Sequence, residues 1–149
     1  LTVEEIGSFK IEFQYLGYYL KWDPQESFYY ASDIGYKVNP ERTEGTYSKY
    51  SSLDDQMDGL HYFTTFIKFG LGRATYDAAQ EIRSGKITRE EGVDLVKRYD
   101  GEFPIKYFKN ALEYMDLTEN EFWEVIDKSR SPHLWRQERG NWKLIHQVS

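Results

Sequence analysis

The chain has 149 residues, 40% hydrophobic and 30% charged, the balance of one folded domain or a piece of a larger one, which excludes wholesale disorder. Its net charge is -6, with 19 Lys and Arg dispersed among 25 Asp and Glu; no basic stripe offers itself to phosphates, so no nucleic acid is expected as a partner. The absence of cysteine excludes disulfides, a Cys-built zinc site and a thiol nucleophile, and no apolar run reaches the ~18 residues of a membrane span.

Taken in chain order, Phe9 to Leu16 alternates apolar and polar residues, as a half-buried strand does. Asp23-Pro24 reads as a helix start, with Asp as N-cap and Pro at the first helical position, and Gly35 stops that helix after Ile34. Residues 36–52, with Pro40, Gly45 and several Ser and Thr, read as a loop. A long helix is expected from Leu53 to Phe69, its apolar stripe made by Leu53, Met57, Leu60, Thr64 and Ile67 and widened by Phe63 and Phe66. Gly70 and Gly72 end it, and a second helix runs from Ala74 to Ser84 with Ala74, Ala78 and Ile82 inward. Thr88 with Glu91, and Thr118 with Glu121, are capping boxes that open two more helices; Leu117 and Phe122 are placed as a staple around the second box. Between them Pro104 is expected to start a helix with Ile105, Phe108, Leu112 and Met115 on one face. Arg139-Gly140-Asn141 between two Trp-bearing segments reads as a β-hairpin. The fold class is therefore mainly α: about six helices, a short N-terminal strand and a C-terminal hairpin. The 13 Tyr, 9 Phe and 4 Trp suit either an aromatic core or amphipathic surfaces meant to be covered.

Two polar sets stand out. Asp54, Asp58, His61, Thr65 and Lys68 share one stripe of the long helix beside its apolar face. Such a row suits a polar ligand, and it equally suits a helix whose end charges complement its dipole. Asp58 and His61 have the i, i+3 spacing of a metal pair, but no second ligand cluster accompanies them and no metal is expected. The other set is the corner Lys68 to Thr75, where Gly70 and Gly72 allow close backbone approach and the amides opening the next helix suit an anion flanked by Lys68 and Arg73. Arg73, Asp77 and Glu81, at i, i+4 and i+8, read as a solvated charge face. Ser84-Gly85-Lys86 fails as a P-loop, since Gln80 stands where the first glycine belongs and Ile87 replaces Ser or Thr. No complete catalytic constellation is present in these residues.

Tyr15-Leu16-Gly17-Tyr18-Tyr19, Trp22-Asp23-Pro24, Glu44-Gly45-Thr46-Tyr47, Asp54-Asp55 and Asp58-Gly59-Leu60-His61-Tyr62 form an ordered series. It continues through Phe66-Ile67-Lys68-Phe69-Gly70, Gly72-Arg73-Ala74-Thr75, Glu81-Ile82-Arg83-Ser84-Gly85, Tyr99-Asp100-Gly101-Glu102-Phe103-Pro104 and Ser131-Pro132-His133-Leu134-Trp135. Together these blocks resemble the C-terminal half of the N-acetyl sugar amidotransferases, members of the PP-loop ATP pyrophosphatases that serve lipopolysaccharide and surface-sugar biosynthesis. The resemblance implies conversion of an acetamido to an acetamidino group on a sugar, free or nucleotide-linked. ATP with Mg would activate the amide oxygen, and a partner glutaminase would supply ammonia. It also implies that residues 1–22 end the α/β PP-loop domain and that residues 23–149 are the helical C-terminal domain.

The family's phosphate loop has no counterpart in this sequence, and Leu1 stands in place of Met. The chain is accordingly expected to be part of a longer enzyme, to bind no ATP or Mg tightly and to be inactive alone. Lys68 and Arg73 are the expected contacts to a phosphate or substrate carboxylate; His61, Asp58 and Asp54 are expected as polar contacts to sugar. A cytoplasmic location is expected, and a homo-oligomer is left open. The competing readings are a non-catalytic helical module that recruits the glutaminase, and a sugar-binding domain.

Overall fold

The computed structural model describes residues 2–9 and 12–148. Eight helices follow one another among them: α1 (Val3–Ser8), α2 (Leu16–Tyr19), α3 (Pro24–Asp33), α4 (Asp58–Phe69), α5 (Arg73–Arg83), α6 (Arg89–Tyr99), α7 (Phe108–Met115) and α8 (Glu119–Lys128). Strands β1 (Trp135–Glu138) and β2 (Asn141–Leu144) close the chain as an antiparallel pair, with Trp135 opposite Leu144 and Glu138 opposite Asn141. The chain is mainly α with one small hairpin, as its periodicities predict.

Side-chain caps set the helix starts. Asp23 accepts from the amides of Gln25 and Glu26 at 3.1 and 3.2 Å, ahead of Pro24. Reciprocal boxes of Thr88 with Glu91 and Thr118 with Glu121 open α6 and α8, each satisfying two amides that a helix start otherwise strands. The hairpin turn is Arg139-Gly140, both at positive φ (51° and 83°), the left-handed pair whose twist matches the strands it joins.

The main core gathers Leu60, Phe63 and Ile67 of α4, Ala111 of α7, Phe122 and Ile126 of α8, and Trp135 of β1. Edge-to-face rings bind it: Phe103 lies 5.1 Å from Phe63 and 4.8 Å from Phe108, and Phe108 lies 5.0 Å from Phe122. Trp135 donates its indole N–H to the Ile67 carbonyl at 2.7 Å, a bond buried at the end of α4. The Arg130 guanidinium sits 4.6 Å from the Trp135 ring and 5.4 Å from that of Trp142, clamping the hairpin onto the core. A second contact joins α5 to α6 through buried Ala74, Ala78 and Val96. A Cβ on Gly92 would meet Ile82 Cδ1 at 2.7 Å, so the glycine leaves room for the Ile82 side chain between the two helices.

Three expectations are corrected. The strand over Phe9 to Leu16 is not formed: Phe9 caps α1, residues 12–15 have no regular structure and Leu16 begins α2, while Lys10 and Ile11 lie outside the described residues. A strand needs a neighbour for its N–H and C=O groups, and none of the described residues supplies one there. The helix expected from Leu53 begins only at Asp58, because Asp55 Oδ1 accepts the Met57 amide at 2.7 Å and turns the chain locally. The helix expected from Pro104 begins at Phe108, because Glu44 takes the amide of Ile105 at 2.9 Å and that of Lys106 at 3.2 Å.

Trp135→Phe keeps an aromatic ring and removes the bond to Ile67, leaving a buried carbonyl without its donor. It should cost on the order of 2 kcal/mol, read as a lower urea midpoint with an unchanged slope.

Candidate functional site

The loop between α3 and α4 builds the site, and ion pairing holds it in place. Arg42 grips Glu102 through both guanidinium nitrogens at 2.6 and 2.5 Å, and Glu102 also accepts the Gly45 amide at 2.8 Å. Arg42 holds the Glu102 carboxyl below its ordinary value of 4.5. The strap delivers Thr46, which is 0% exposed, to α5, where its hydroxyl donates to Asp77 Oδ2 at 2.6 Å. The other oxygen of Asp77 accepts from Arg73 Nε at 2.8 Å. Arg73 reaches on to the Tyr62 hydroxyl at 3.4 Å and Ser51 Oγ at 3.3 Å, with its guanidinium 5.2 Å from the Tyr62 ring and 5.4 Å from that of Tyr76. Tyr62 in turn shares a hydrogen bond with Ser52 Oγ at 2.8 Å and lies 3.5 Å from Asp58 Oδ2. On the far side Phe28 of α3 stacks on Tyr50 at 5.1 Å, and Lys86 pairs with Asp23 and Glu26.

These contacts frame a cleft of about 760 Å³ between α3, α4 and α5. Its walls alternate aromatic rings (Trp22, Phe28, Tyr36, Tyr50, Tyr62, Tyr76) with polar groups (Ser51, Asp58, His61, Arg73, Asp77, Glu81). Burial pushes the Asp77 carboxyl up, and the Thr46 and Arg73 contacts recover only part of that. Burial works against the Arg73 charge too, but Asp77, Tyr62 and Tyr76 together outweigh it and hold the guanidinium above its ordinary value. Burial, and then the charges of Glu81 and Asp77, push the Tyr50 phenol up to about 12 and the Tyr47 phenol higher still. The arrangement offers hydroxyl donors, carboxylate acceptors, one cation and flat apolar faces. It suits a neutral or singly anionic polar ring better than a multiply charged ligand.

The expected site residues divide. Asp58, His61 and Arg73 meet in this cleft, with Thr65 beside them. Asp54 does not join them: it stands outside the helix and lines a second cleft of about 640 Å³ with Arg42 and Glu44. Lys68 lines neither cleft; it is exposed, with its ammonium 5.3 Å from the Phe69 ring. The anion corner at Gly70 to Thr75 is already taken. Asp100 Oδ2 accepts the Gly72 amide at 2.9 Å, Asp100 Oδ1 accepts the Thr75 amide at 3.1 Å, and the Gly45 carbonyl accepts the Ala74 amide at 3.2 Å. A Cβ at Gly72 would meet Asp100 Oδ1 at 2.5 Å, so that glycine serves an internal carboxylate.

A sequence model of the family described as "LPS biosynthesis protein WbpG-like, C-terminal domain" matches residues 44–149. The chain belongs to that family. No curated protein matches it. The WbpG-like match takes in Tyr62, Arg73, Asp77 and the whole main core, whereas α3, with its Phe28 and the adjoining Trp22, lies before it. The cleft is thus built partly by the WbpG-like residues and partly by the segment ahead of them. No helix of the described residues is long and apolar enough to cross a membrane.

The Arg73, Asp77, Glu81 face is not solvated, contrary to its reading as a charge face: Asp77 is 9% and Glu81 6% exposed, because the Thr46 loop covers them. Tyr62, Tyr76, Thr46 and Asp100 carried no local signal of a role, since their partners lie far along the chain. The one available hint was Asp77 and Glu81 falling next to inward Ala74 and Ala78 on α5.

Asp77→Ala leaves the Arg73 charge half-buried and unpaired and strands the Thr46 hydroxyl. It should cost about 3 kcal/mol, measured by thermal unfolding. Glu102 titrates below its ordinary value in the folded state, so its stabilising effect is complete above pH 4.5 and disappears as pH falls through the lowered folded value. The stability gap between the natural chain and Glu102→Gln should therefore close as pH drops below 4.5, followed by urea midpoints at stepped pH.

Proposed function

We propose that this chain is the sugar-handling C-terminal part of an ATP-dependent N-acetyl sugar amidotransferase in lipopolysaccharide biosynthesis. The observation that carries the reading is the WbpG-like match over residues 44–149, joined to the family resemblance of its sequence blocks. The aromatic and hydroxyl-rich cleft supports it, since flat rings and convergent hydrogen-bonding groups are what a pyranose needs. In this reading Arg73 faces an acidic substituent of the sugar. Its long contacts to Ser51 and Tyr62 (3.3 and 3.4 Å) are ones that a carboxylate or phosphate oxygen would replace with stronger charge-assisted bonds. Asp58 and His61 meet hydroxyls at the α4 wall.

No ATP or Mg site is assigned to these residues in this reading. The amides opening α5 are filled by Asp100 and Gly45, and no group of three or more acids or histidines among the described residues suits a metal ion. The nucleotide chemistry and the residues that perform it are assigned to other parts of the whole protein, with ammonia from a glutaminase partner. A second reading, that the chain also docks that partner, draws on the exposed Phe13, Tyr15, Tyr18, Tyr19 and Leu20 before α3.

The test is the whole protein incubated with ammonium, ATP, Mg and N-acetyl sugars, free and nucleotide-linked, with products read by mass. Exchange of one oxygen for NH in the sugar, with AMP and pyrophosphate formed, is the expected result. Release of no amidine under any of these substrates, with the sugar still bound, overturns the enzyme in favour of a binding domain. Trp22→Ala removes an exposed ring from the cleft and should raise KM for the sugar about fivefold, with kcat little changed and the fold intact.

A further inference from the structure

Charge is dispersed along most of this acidic chain but not over its last elements. Residues 128–149 hold five of the 19 Lys and Arg and only one of the 25 Asp and Glu. Just before them, residues 110–127 hold six acids (Glu113, Asp116, Glu119, Glu121, Glu124 and Asp127) and no Lys or Arg. The basic patch is the exposed side of the hairpin. Arg136 and Lys143 share a single carboxylate, Glu138, at 2.7 and 2.9 Å, and Arg139, exposed at the turn, is in no ion pair among the described residues. The acidic patch is the exposed side of α7 and α8 with the turn between them; all six carboxylates are exposed there, and Tyr114 (83% exposed) and Val125 (54%) stand among them.

Within the chain only two ion pairs join the patches among the described residues, Lys128 to Glu124 at 3.6 Å and Arg130 to Asp127 at 3.4 Å. Each patch keeps a surplus of its own sign. They adjoin, because the Arg130 that pairs with Asp127 also lies over the Trp135 and Trp142 rings at 4.6 and 5.4 Å. Two adjoining patches of opposite surplus charge are complementary to the same two patches turned through a half-rotation, so a two-fold contact uses both patches of both copies and closes.

We infer that this face docks a second copy of the chain, the basic hairpin of one protomer lying on the acidic α7–α8 side of its partner and the converse. Tyr114 and Val125 supply apolar contact that exposed ion pairs, individually worth little, need beside them. The same charges oppose the other arrangement, hairpin edge against hairpin edge, since Arg136, Arg139 and Lys143 repel their equivalents and keep the open strands from pairing. A contact built this way is weak and salt-sensitive. The inference does not draw on the sugar reading of the cleft.

Sedimentation velocity in low and in molar salt tests it on three chains: the natural one, Arg136→Glu with Arg139→Glu, and Glu113→Lys with Glu124→Lys. Circular dichroism checks that each is folded, as the exposure of all four side chains leads one to expect. The natural chain should dimerise in low salt with a Kd that rises at least about tenfold in molar salt, and either variant alone should be monomeric. Mixed, the two variants should dimerise again, because the reversed hairpin of one meets the reversed helices of the other. A natural chain that stays monomeric in low salt overturns the inference. So does a dimer that neither salt nor the substitutions weaken, or a mixture of folded variants that stays monomeric. If one variant fails to fold, the salt dependence and the other variant still decide. Vesicles containing phosphatidylglycerol are the last arm: a natural chain that binds them while monomeric in solution, and loses this binding with Arg136→Glu and Arg139→Glu, gives the hairpin to a lipid surface instead.

Discussion

The cleft depends on one buried carboxylate. Asp77 lies between the Thr46 hydroxyl and the Arg73 guanidinium, and each of its two oxygens has its own donor. Through Thr46 it pins the loop that follows α3; through Arg73 it organises Tyr62, Ser51 and Tyr76. Removing a charge pair of this kind is asymmetric: losing one partner strands the other, whereas the intact set gives up little net stability for a defined shape. Its value is geometric. It fixes where the aromatic walls stand.

That arrangement is anchored to a conventional apolar core. The rings of Phe63, Phe103, Phe108 and Phe122 interlock across α4, α7 and α8, and the indole of Trp135 ties the hairpin to the end of α4. The two regions share α4. One side of that helix carries Leu60, Phe63 and Ile67 into the core, and the other carries Asp58, His61 and Tyr62 to the cleft. The segment from Gly101 to Lys106 is the second bridge, because Glu102 and the amides of Ile105 and Lys106 receive the loop through Arg42 and Glu44. Stability sits in the aromatic core, and the polar wall is held against it by a few long-range bonds.

The parts legible in the sequence were those encoded within a few residues. The capping boxes at Thr88 and Thr118, the Asp23-Pro24 start and the Arg139-Gly140 turn are local chemistry, and all of them are formed. The helix starts at Asp58 and Phe108 were misplaced because side chains intercept the amides that helices there would have used: Asp55 locally, Glu44 from far along the chain. The site was legible only in fragments. Asp58, His61 and Arg73 do share a cleft, but Asp54 leaves it once the first turn of the expected helix is lost, and Lys68, in the last turn of α4, is exposed outside it. The anion corner fails for a reason no local pattern carries, since Asp100 arrives 28 residues away in sequence. Glu81 was hidden by the same logic: i, i+4 spacing of charges reads as a solvated face until a loop is known to cover it.

The central claim is that the cleft between α3, α4 and α5 receives an N-acetyl sugar. It is tested most directly by intermolecular nuclear Overhauser contacts between isotopically labelled protein and N-acetylglucosamine 1-phosphate, which carries both the sugar and an anionic group. The account predicts contacts from sugar ring protons to the Trp22 and Tyr76 rings, with the phosphate perturbing Arg73. Contacts confined to the second cleft around Asp54 and Glu44, or to the exposed aromatic residues before α3, would contradict it.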